Sequence, residues 1–180
     1  RGVELLGACD VRTRFTDAAE VFGPQKGASD AHIRLLTGRL ERLVQVYEER
    51  YGVDVSAMDR AGAAGGLAGG LAARGAQLVD GIDLVAEEVR LDEHLAGADL
   101  VVTGEGRLDA TSMAGKVVGG VAAYAAAAGV PLLVVVGSAD PDVIVPGDVL
   151  SLVDLFGLDR AQTDTGACVT EAVAGWLAGR

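Results

Sequence analysis

The chain has 180 residues, half of them apolar and only 4% aromatic, so it can form one ordinary domain or two small ones around a core of Val, Leu and Ala. Its formal net charge is -11, which argues against a general nucleic-acid binder, whose surface is basic. An anionic membrane surface is disfavoured for the same reason. A small anionic substrate is compatible with this charge, because local groups can outweigh the net charge.

The two cysteines, Cys9 and Cys168, lie far apart in the sequence and lack metal-binding spacing. That placement is typical of buried thiols in a reducing compartment. No signal peptide is recognisable, and no apolar run reaches the ~20 residues of a membrane helix. We therefore expect a cytoplasmic protein without membrane or nucleic-acid partners. The first residue is Arg1 and lies beside an apolar segment, which predicts a chain cut upstream.

The N-terminal third predicts a strand followed by a long helix. The apolar residues of segment 3–11 predict a buried strand with Asp10 at its end. A carboxylate at the end of a strand either faces a cleft or caps a turn. Residues 30–51 carry apolar side chains at three- and four-residue steps, with Gly52 as the terminator. His32, in the first turn of that helix, is interpreted as a solvated or locally bonded residue.

Residues 59–76 are rich in glycine and are interpreted as a helix. Each glycine costs roughly 1 kcal/mol relative to alanine in a helix, so a sequence that tolerates several of them needs close backbone approach. The closely approaching partner is either another helix or a ligand. Residues 79–95 then predict a short helix and a second turn at 91–94.

The stretch 98–116, ADLVVTGEGRLDATSMAGK, organises the second half of the chain. Its apolar start predicts a buried strand, and Gly104 and Gly106 predict a tight turn with room for a ligand. Thr111 or Ser112 is expected to cap a following helix. The alternative is an ordinary strand-to-helix turn with solvated charges. The GxxxxGK[ST] spacing of a Walker A loop is absent.

Charged side chains in this stretch predict a phosphate and metal site. The loop between a parallel strand and a helix lies at the carboxyl edge of the sheet, where α/β proteins bind ligands. The N–H groups at a helix start favour phosphate, and Lys116 adds a positive charge. Glu105 and Asp109 lie between the glycines and that lysine. Two carboxylates beside a phosphate indicate Mg²⁺, which prefers oxygen ligands.

The remaining segments alternate between helix and strand, which predicts a parallel α/β sheet. A helix is expected over 117–128, a strand over 131–138 closed by Gly137 and Ser138, a strand over 148–156, and a closing helix over 165–177.

These sequence features together resemble the type I glycerate kinase family of bacteria. The matching segments are ACDV at Ala8–Val11, VFGPQKGAS at Val21–Ser29, GAAGGL at Gly62–Leu67, LAGADLVVTGEGRLDATSMAGK at Leu95–Lys116 and VPLLVVVGS at Val130–Ser138. The resemblance implies a kinase that transfers the ATP γ-phosphoryl group to D-glycerate, giving 2-phosphoglycerate, with Mg²⁺. It also implies two α/β domains: a Rossmann-like parallel sheet domain and a second, inserted α/β domain.

Under this resemblance, residues 1–94 are part of the inserted domain and 95–180 the C-terminal part of the Rossmann-like domain, both incomplete. The family's early DSFKG motif has no counterpart here. Missing strands would leave an apolar sheet edge that favours a homo-oligomer. The segment after ACDV also departs from the family, because RTRFTDAAE lacks an Asn-Pro-Leu turn; its Arg12 and Arg14 are interpreted as solvated charges.

Phosphoryl transfer needs cations for the phosphates and carboxylates for the metal or as base. Lys26 and Lys116 are the only lysines, and both lie in matching segments. We expect both to contact anions. The remaining candidates are Asp10, Glu105 and Asp109 as catalytic groups, the last two also as metal ligands, and Gly104, Gly106, Gly115 and Ser138 as the lining of the phosphate or nucleotide loop.

Two other functions are compatible with the same residues. The chain is alternatively a truncated, non-catalytic fragment that only binds a ligand or partner. A dinucleotide-binding enzyme is the third reading, weakly supported by the glycine pair at Gly104 and Gly106, because no GxGxxG fingerprint follows it.

Overall fold

The computed structural model describes residues 2–113 and 116–180. The chain divides into two compact units, residues 1–84 (the N-terminal unit) and residues 85–180 (the C-terminal unit). Each unit contains parallel strands and helices, so the expected α/β class is confirmed. The assignment of residues 1–94 and 95–180 to the two family domains stays a prediction.

The N-terminal unit is built on a small parallel sheet and one long helix. Strand β1 (Leu6–Cys9) pairs in parallel with β2 (Gln77–Asp80), so that Cys9 lies opposite Asp80. The helices of this part are α1 (Ala18–Phe22), α2 (Asp30–Tyr51), α3 (Leu67–Ala72) and α4 (Gly81–Glu88), with 3₁₀ turns at Pro24–Lys26 and Ala63–Gly66. Helix α4 carries the chain across the boundary at residue 84.

Helix α2 has the bounds that the apolar periodicity predicts. The Ser29 hydroxyl accepts a hydrogen bond from the His32 amide, and the His32 ring accepts one from the Ser29 amide, which completes a capping box. His32 is therefore locally bonded, as expected. Gly52 ends the helix in the left-handed conformation at φ 68°. No residue of this helix is fully buried.

The glycine-rich segment 59–76 is only partly helical. It makes the close backbone approach that its composition predicts, but the partner is the loop before α1. A Cβ on Gly62 would lie 2.2 Å from the Arg14 carbonyl oxygen, and one on Gly69 would lie 2.3 Å from the Phe15 ring. Phe15 is 1% exposed at the centre of this unit's core, so the glycines make room for its ring.

The C-terminal unit has a three-stranded parallel sheet in the order β3 (Val101–Leu108), β4 (Leu132–Ala139), β5 (Asp148–Ser151). The helices are α5 (Leu91–Leu95), α6 (Val117–Ala128), α7 (Leu152–Phe156), α8 (Leu158–Thr163) and α9 (Thr165–Ala178). Alternate residues of β4 pack into two different apolar clusters, one on each face of the sheet. This explains its uninterrupted apolar sequence.

Several predicted boundaries are wrong. The strand expected over 148–156 stops at Ser151, whose hydroxyl accepts from the Asp154 amide and so caps α7. The helix expected over 79–95 begins only at Gly81, because residues 79–80 end strand β2, whose four residues are too few for an alternating pattern to show. No helix of the described residues is both long and apolar enough to cross a bilayer.

Candidate functional site

The loop that leaves β3 is organised around Asp109. Its Oδ1 accepts hydrogen bonds from the Thr111 amide at 2.8 Å and from the Thr111 hydroxyl at 2.6 Å. The Asp109 amide donates to the Ser112 hydroxyl at 3.0 Å, and the Ser112 amide donates to the Asp109 carbonyl at 2.9 Å. These bonds use the side chains of Thr111 and Ser112 for the loop itself, so neither side chain caps a helix, although the Ser112 carbonyl accepts from the Gly119 amide of the next helix at 3.2 Å.

Helix α6 spans Val117–Ala128, the bounds expected from the sequence, but its N-cap position is Lys116 and not Thr111 or Ser112. Among the described residues, no side chain caps this helix. Residues 114 and 115 lie outside the described part of the chain, so the predicted role of Gly115 stays a prediction. An α-helix start without a side-chain cap offers N–H groups to an anion.

Lys116 is joined to Asp109 through Thr111. The Lys116 ammonium donates to the Thr111 hydroxyl oxygen at 2.7 Å, and that hydroxyl donates onward to Asp109. The two hydrogen bonds from Thr111 hold the pKa of Asp109 below its ordinary value, and the charges of Lys116 and Arg107 act in the same direction. The Asp109 carboxylate is consequently ionised at neutral pH, next to a lysine that is held at a fixed position.

Glu105, in the strand β3 that leads into this loop, has a hydrogen-bond acceptor that the described residues leave unsatisfied. Its Oε1 is buried and has no hydrogen-bond partner among residues 2–113 and 116–180. A buried carboxylate oxygen without a donor is costly, so such an atom calls for a cation or a donor beyond those of the described residues. Among the described residues, no three His, Cys, Asp or Glu side chains are grouped closely enough to form a metal site by themselves.

Gly104 and Gly106 do not form the expected turn, because β3 continues through both to Leu108. A Cβ on Gly104 would lie 2.0 Å from the Val135 carbonyl oxygen, and one on Gly137 would lie 2.4 Å from the Gly106 carbonyl oxygen. The glycines thus allow β3 and β4 to approach closely. Ser138 is half-buried in β4, opposite Arg107.

In the N-terminal unit, Asp10 follows β1 directly and is exposed, so the predicted strand-end position is correct. The neighbouring strand end carries Asp80, which is bound by two arginines. Arg60 donates to Asp80 through Nε at 3.0 Å and also through Nη2, while Arg12 donates at 2.9 Å. These hydrogen bonds lower the pKa of Asp80, the Arg60 bond most of all.

Lys26 ends the 3₁₀ turn Pro24–Lys26 and is exposed beside a cavity of about 600 Å³. All the residues that line this cavity belong to the N-terminal unit. Lys26 and Lys116 therefore lie in different units. The expected contact of each lysine with an anion stays a prediction.

Comparison with known proteins identifies the family. The profile of the glycerate kinase family matches residues 1–172. The chain belongs to the glycerate kinase family. It is 43% identical over 140 residues to the glycerate kinase of Halalkalibacterium halodurans and 42% identical over 140 residues to the glycerate 2-kinase of Escherichia coli K12. Each alignment covers 76% of this chain but only 37% of the relative, so the chain spans less than two fifths of these curated relatives.

A solved structure agrees with this assignment. The crystal structure of a candidate glycerate kinase 2 from Salmonella typhimurium LT2 matches with a TM-score of 0.68 at 36% identity. The match covers 98% of this chain and 49% of the Salmonella chain. Both units of this glycerate kinase family member therefore have counterparts in a solved fold.

Reasoning from the sequence missed Asp80 and Arg60. Asp80 is a strand-end acid like Asp10, and it would have been noticed if β2 had been recognised. Arg60 adopts φ 70°, a left-handed conformation that only the structure shows. Arg12, interpreted as solvated, is half exposed but ion-paired with Asp80.

Proposed function

We propose that the protein to which this chain belongs is a glycerate kinase that transfers the γ-phosphoryl group of ATP to D-glycerate. The observation that carries the proposal is the bonded series Asp109–Thr111–Lys116 at the start of α6, in a chain of the glycerate kinase family. A fixed cation beside an ionised carboxylate at a helix start suits phosphoryl transfer, which depends on positioning and charge neutralisation.

In this proposal Lys116 and the first amides of α6 bind the phosphate that is transferred. Thr111 holds the lysine through its hydroxyl oxygen, so the ammonium does not have to be ordered at the moment of reaction. In the same proposal Asp109, ionised at neutral pH, accepts the proton of the attacking hydroxyl or holds a metal ion.

Mg²⁺ fits the oxygen ligands that the C-terminal unit offers. The buried Oε1 of Glu105 has no hydrogen-bond partner in the part of the chain that the structure describes, and the Asp109 carboxylate is ionised. Kinase magnesium sites use one or two carboxylates together with substrate phosphates, so a cluster of three protein ligands is not required. When bound, the ion would neutralise phosphate charge, with Glu105 and Asp109 as its protein ligands.

The further site residues are assigned within the same proposal. In the N-terminal unit, Lys26 contacts an anion and Asp10 is a second candidate for the catalytic carboxylate. In the C-terminal unit, Gly104, Gly106, Gly115 and Ser138 line the phosphate loop. A cytoplasmic location and a homo-oligomeric state also belong to the proposal; gel filtration of the purified protein tests the second.

The product is proposed to be 2-phosphoglycerate. The support for this regiochemistry is the similarity to the Escherichia coli relative, which is named a glycerate 2-kinase. The regiochemistry can be read directly by ³¹P NMR of the product, because 2-phosphoglycerate and 3-phosphoglycerate give distinct resonances.

The test is a coupled assay of ADP release from ATP with D-glycerate, on the intact protein and on the 180-residue chain. We expect turnover by the intact protein that stops with EDTA and returns with Mg²⁺. L-Glycerate and glycerol are the substrate controls. Absence of D-glycerate-dependent turnover in the intact protein would overturn the proposal. Ligand binding without turnover by both proteins would favour the binding-only alternative.

A further inference from the structure

Arg107 and Asp140 form a salt bridge at the carboxyl edge of the three-stranded sheet. Arg107 is the last residue but one of β3, and Asp140 directly follows β4. The Arg107 Nη2 donates to Asp140 Oδ1 at 3.0 Å, and the Asp140 amide donates to the Leu108 carbonyl oxygen at 2.9 Å. The second bond prolongs the pairing of β3 with β4, so the backbone that carries the Asp140 carboxylate is fixed relative to Arg107.

The guanidinium of Arg107 is only partly used by this salt bridge. Within residues 2–113 and 116–180 it makes this one hydrogen bond, and its other N–H donors have no protein partner. The Arg107 side chain is 66% exposed and the Asp140 side chain 42% exposed. A single exposed ion pair adds little to stability, so this pair is poorly explained as a support of the fold. The remaining donors can bind an anion while the bond to Asp140 is kept.

A second arginine–aspartate pair, at the opposite edge of the same sheet, has further partners. Arg180 donates to Asp148, the first residue of β5, at 2.7 Å, and its guanidinium carbon lies 4.0 Å from the centre of the Trp176 ring. The Trp176 indole N–H donates to the same carboxylate at 3.0 Å. Among the described residues, no aromatic ring lies over Arg107 in this way. The Arg180 pair is therefore a structural contact, whereas Arg107 keeps its guanidinium face and donors open.

Arg107 lies next to the loop that contains Asp109 and Lys116. It precedes Asp109 by two residues along the chain. The Thr111 hydrogen bonds are the main support of the ionised Asp109 carboxylate, and the charges of Lys116 and Arg107 add to it. Such an electrostatic interaction requires proximity, so both cations lie near one carboxylate where β3 ends and α6 begins. An anion bound at the start of α6 therefore has two cations in its neighbourhood.

We propose that Arg107 is a catalytic residue that binds the transferred phosphoryl group together with Lys116, and that Asp140 positions its guanidinium. The inference rests on the proposed function. In that reaction a hydroxyl oxygen of D-glycerate forms a bond to the γ-phosphorus of ATP. The bond from this phosphorus to the oxygen shared with the β-phosphate breaks, ADP leaves with the electron pair, and the hydroxyl proton passes to a base or to water.

A guanidinium suits the charge that develops in this step. Negative charge spreads over the oxygens of the phosphoryl group in the transition state. A planar guanidinium can bind two of these oxygens at once, whereas the ammonium of Lys116 acts as a point charge. Because Asp140 already holds one N–H, the guanidinium does not have to be ordered at the moment of reaction.

Steady-state kinetics of the intact protein test the role of Arg107. Arg107→Gln should lower kcat for D-glycerate phosphorylation about 10²–10³-fold and change the KM for ATP roughly threefold or less, because the arginine acts mainly on transition-state charge. Arg107→Lys should recover only part of the loss, since an ammonium lacks the planar fork. Arg180→Gln is the matched control and should leave both constants unchanged. The melting temperature of Arg107→Gln should not change, because the pair is exposed.

A double variant tests the role of Asp140. Asp140→Asn should lower kcat about tenfold, and Asp140→Glu should recover most of that loss. In protein that already carries Arg107→Gln, Asp140→Asn should have no further effect, because a positioning residue acts only through the group that it positions. Additive losses in the double variant would overturn the assignment of Asp140.

Inorganic pyrophosphate separates failure of this inference from failure of the proposed function. In calorimetric titrations of the intact protein with EDTA present, we expect Arg107→Gln to weaken pyrophosphate binding about fivefold and Arg180→Gln to leave it unchanged. This binding is measured whether or not D-glycerate is phosphorylated. A kcat of Arg107→Gln close to that of the unaltered protein, equal pyrophosphate affinities of the two variants, or no pyrophosphate binding by the unaltered protein would each overturn the inference.

Discussion

Asp80 is the last residue of β2 in the N-terminal unit, and Asp109 directly follows β3 in the C-terminal unit. Both carboxylates have a lowered pKa. Their partners differ. Asp80 is 12% exposed and receives two guanidinium groups, one of them from Arg60, which is itself 17% exposed. Asp109 is bound by Thr111, and the nearest ammonium reaches it only through that hydroxyl.

The pKa values of these two carboxylates are lowered by different groups, arginines for Asp80 and the Thr111 hydrogen bonds for Asp109. Asp80 forms ion pairs with two arginines. One of them is Arg60, whose left-handed backbone conformation at φ 70° is strained and is held in place by this contact. Thr111 orients Asp109 without neutralising its charge. We infer a structural role for Asp80 and propose a role in phosphoryl transfer for Asp109.

Replacing Asp109 should separate these roles most clearly. In the intact protein, Asp109→Asn should lower kcat for D-glycerate phosphorylation by about 10²–10⁴-fold, because the ionised group is lost. The melting temperature should change little. Near-normal turnover would remove Asp109 from the catalytic groups and leave Asp10 as the carboxylate to test.

Gly104→Ala should destabilise the C-terminal unit by about 3 kcal/mol, because the new Cβ would lie 2.0 Å from the Val135 carbonyl oxygen. Gly106→Ala is the matched control in the same strand, since no atom lies within 4 Å of its Cβ position. Urea unfolding of both variants measures the difference. If Gly106→Ala is stable but impairs turnover, its proposed place in the phosphate loop is strengthened.

Asp80→Asn should destabilise the N-terminal unit by about 2 kcal/mol, since Arg60 is left partly buried without its carboxylate. Asp10→Asn, at the neighbouring and exposed strand end, should not alter stability. Equal unfolding midpoints for the two variants would contradict the structural role of Asp80.

The same ion pair predicts a pH dependence. The pKa of Asp80 in the folded protein is below its ordinary value of 3.8. The ionised carboxylate therefore stabilises the fold in full at pH values above 3.8, and this stabilisation is lost as the pH falls through the folded-state pKa. Urea midpoints between about pH 6 and about pH 3 should therefore fall less in Asp80→Asn than in the unaltered chain.

Thr111→Val has the smallest expected effect. It removes the hydroxyl that bridges Lys116 and Asp109 but keeps the amide hydrogen bond to Asp109. We expect kcat to fall about tenfold and the pKa of Asp109 to rise. Thr111→Ser, which restores the hydroxyl, should recover most of the activity; failure to do so would argue against a bridging role.

The sequence predicts correctly those helices whose apolar spacing and capping residues lie close together along the chain. The apolar spacing and the caps of α2 depend only on neighbours along the chain, and its bounds came out correctly. The family segments likewise identified Asp109 and Lys116, which the structure joins through Thr111. The bounds of α6 also agree with the prediction, but its expected N-cap was wrong, because the side chains of Thr111 and Ser112, which suit an N-cap, bond to Asp109 instead.

The sequence alone determined the α/β class, the family and the residues that carry charge into the loop after β3, because these depend on periodicity and short motifs. Tertiary structure decided which partners those residues have. Whether a glycine turns a chain or admits a neighbouring strand, as at Gly104, depends on the carbonyl of a residue 31 positions away. The same is true of Asp80, whose arginines come from distant parts of the chain, since ion pairs form in space and leave no local pattern.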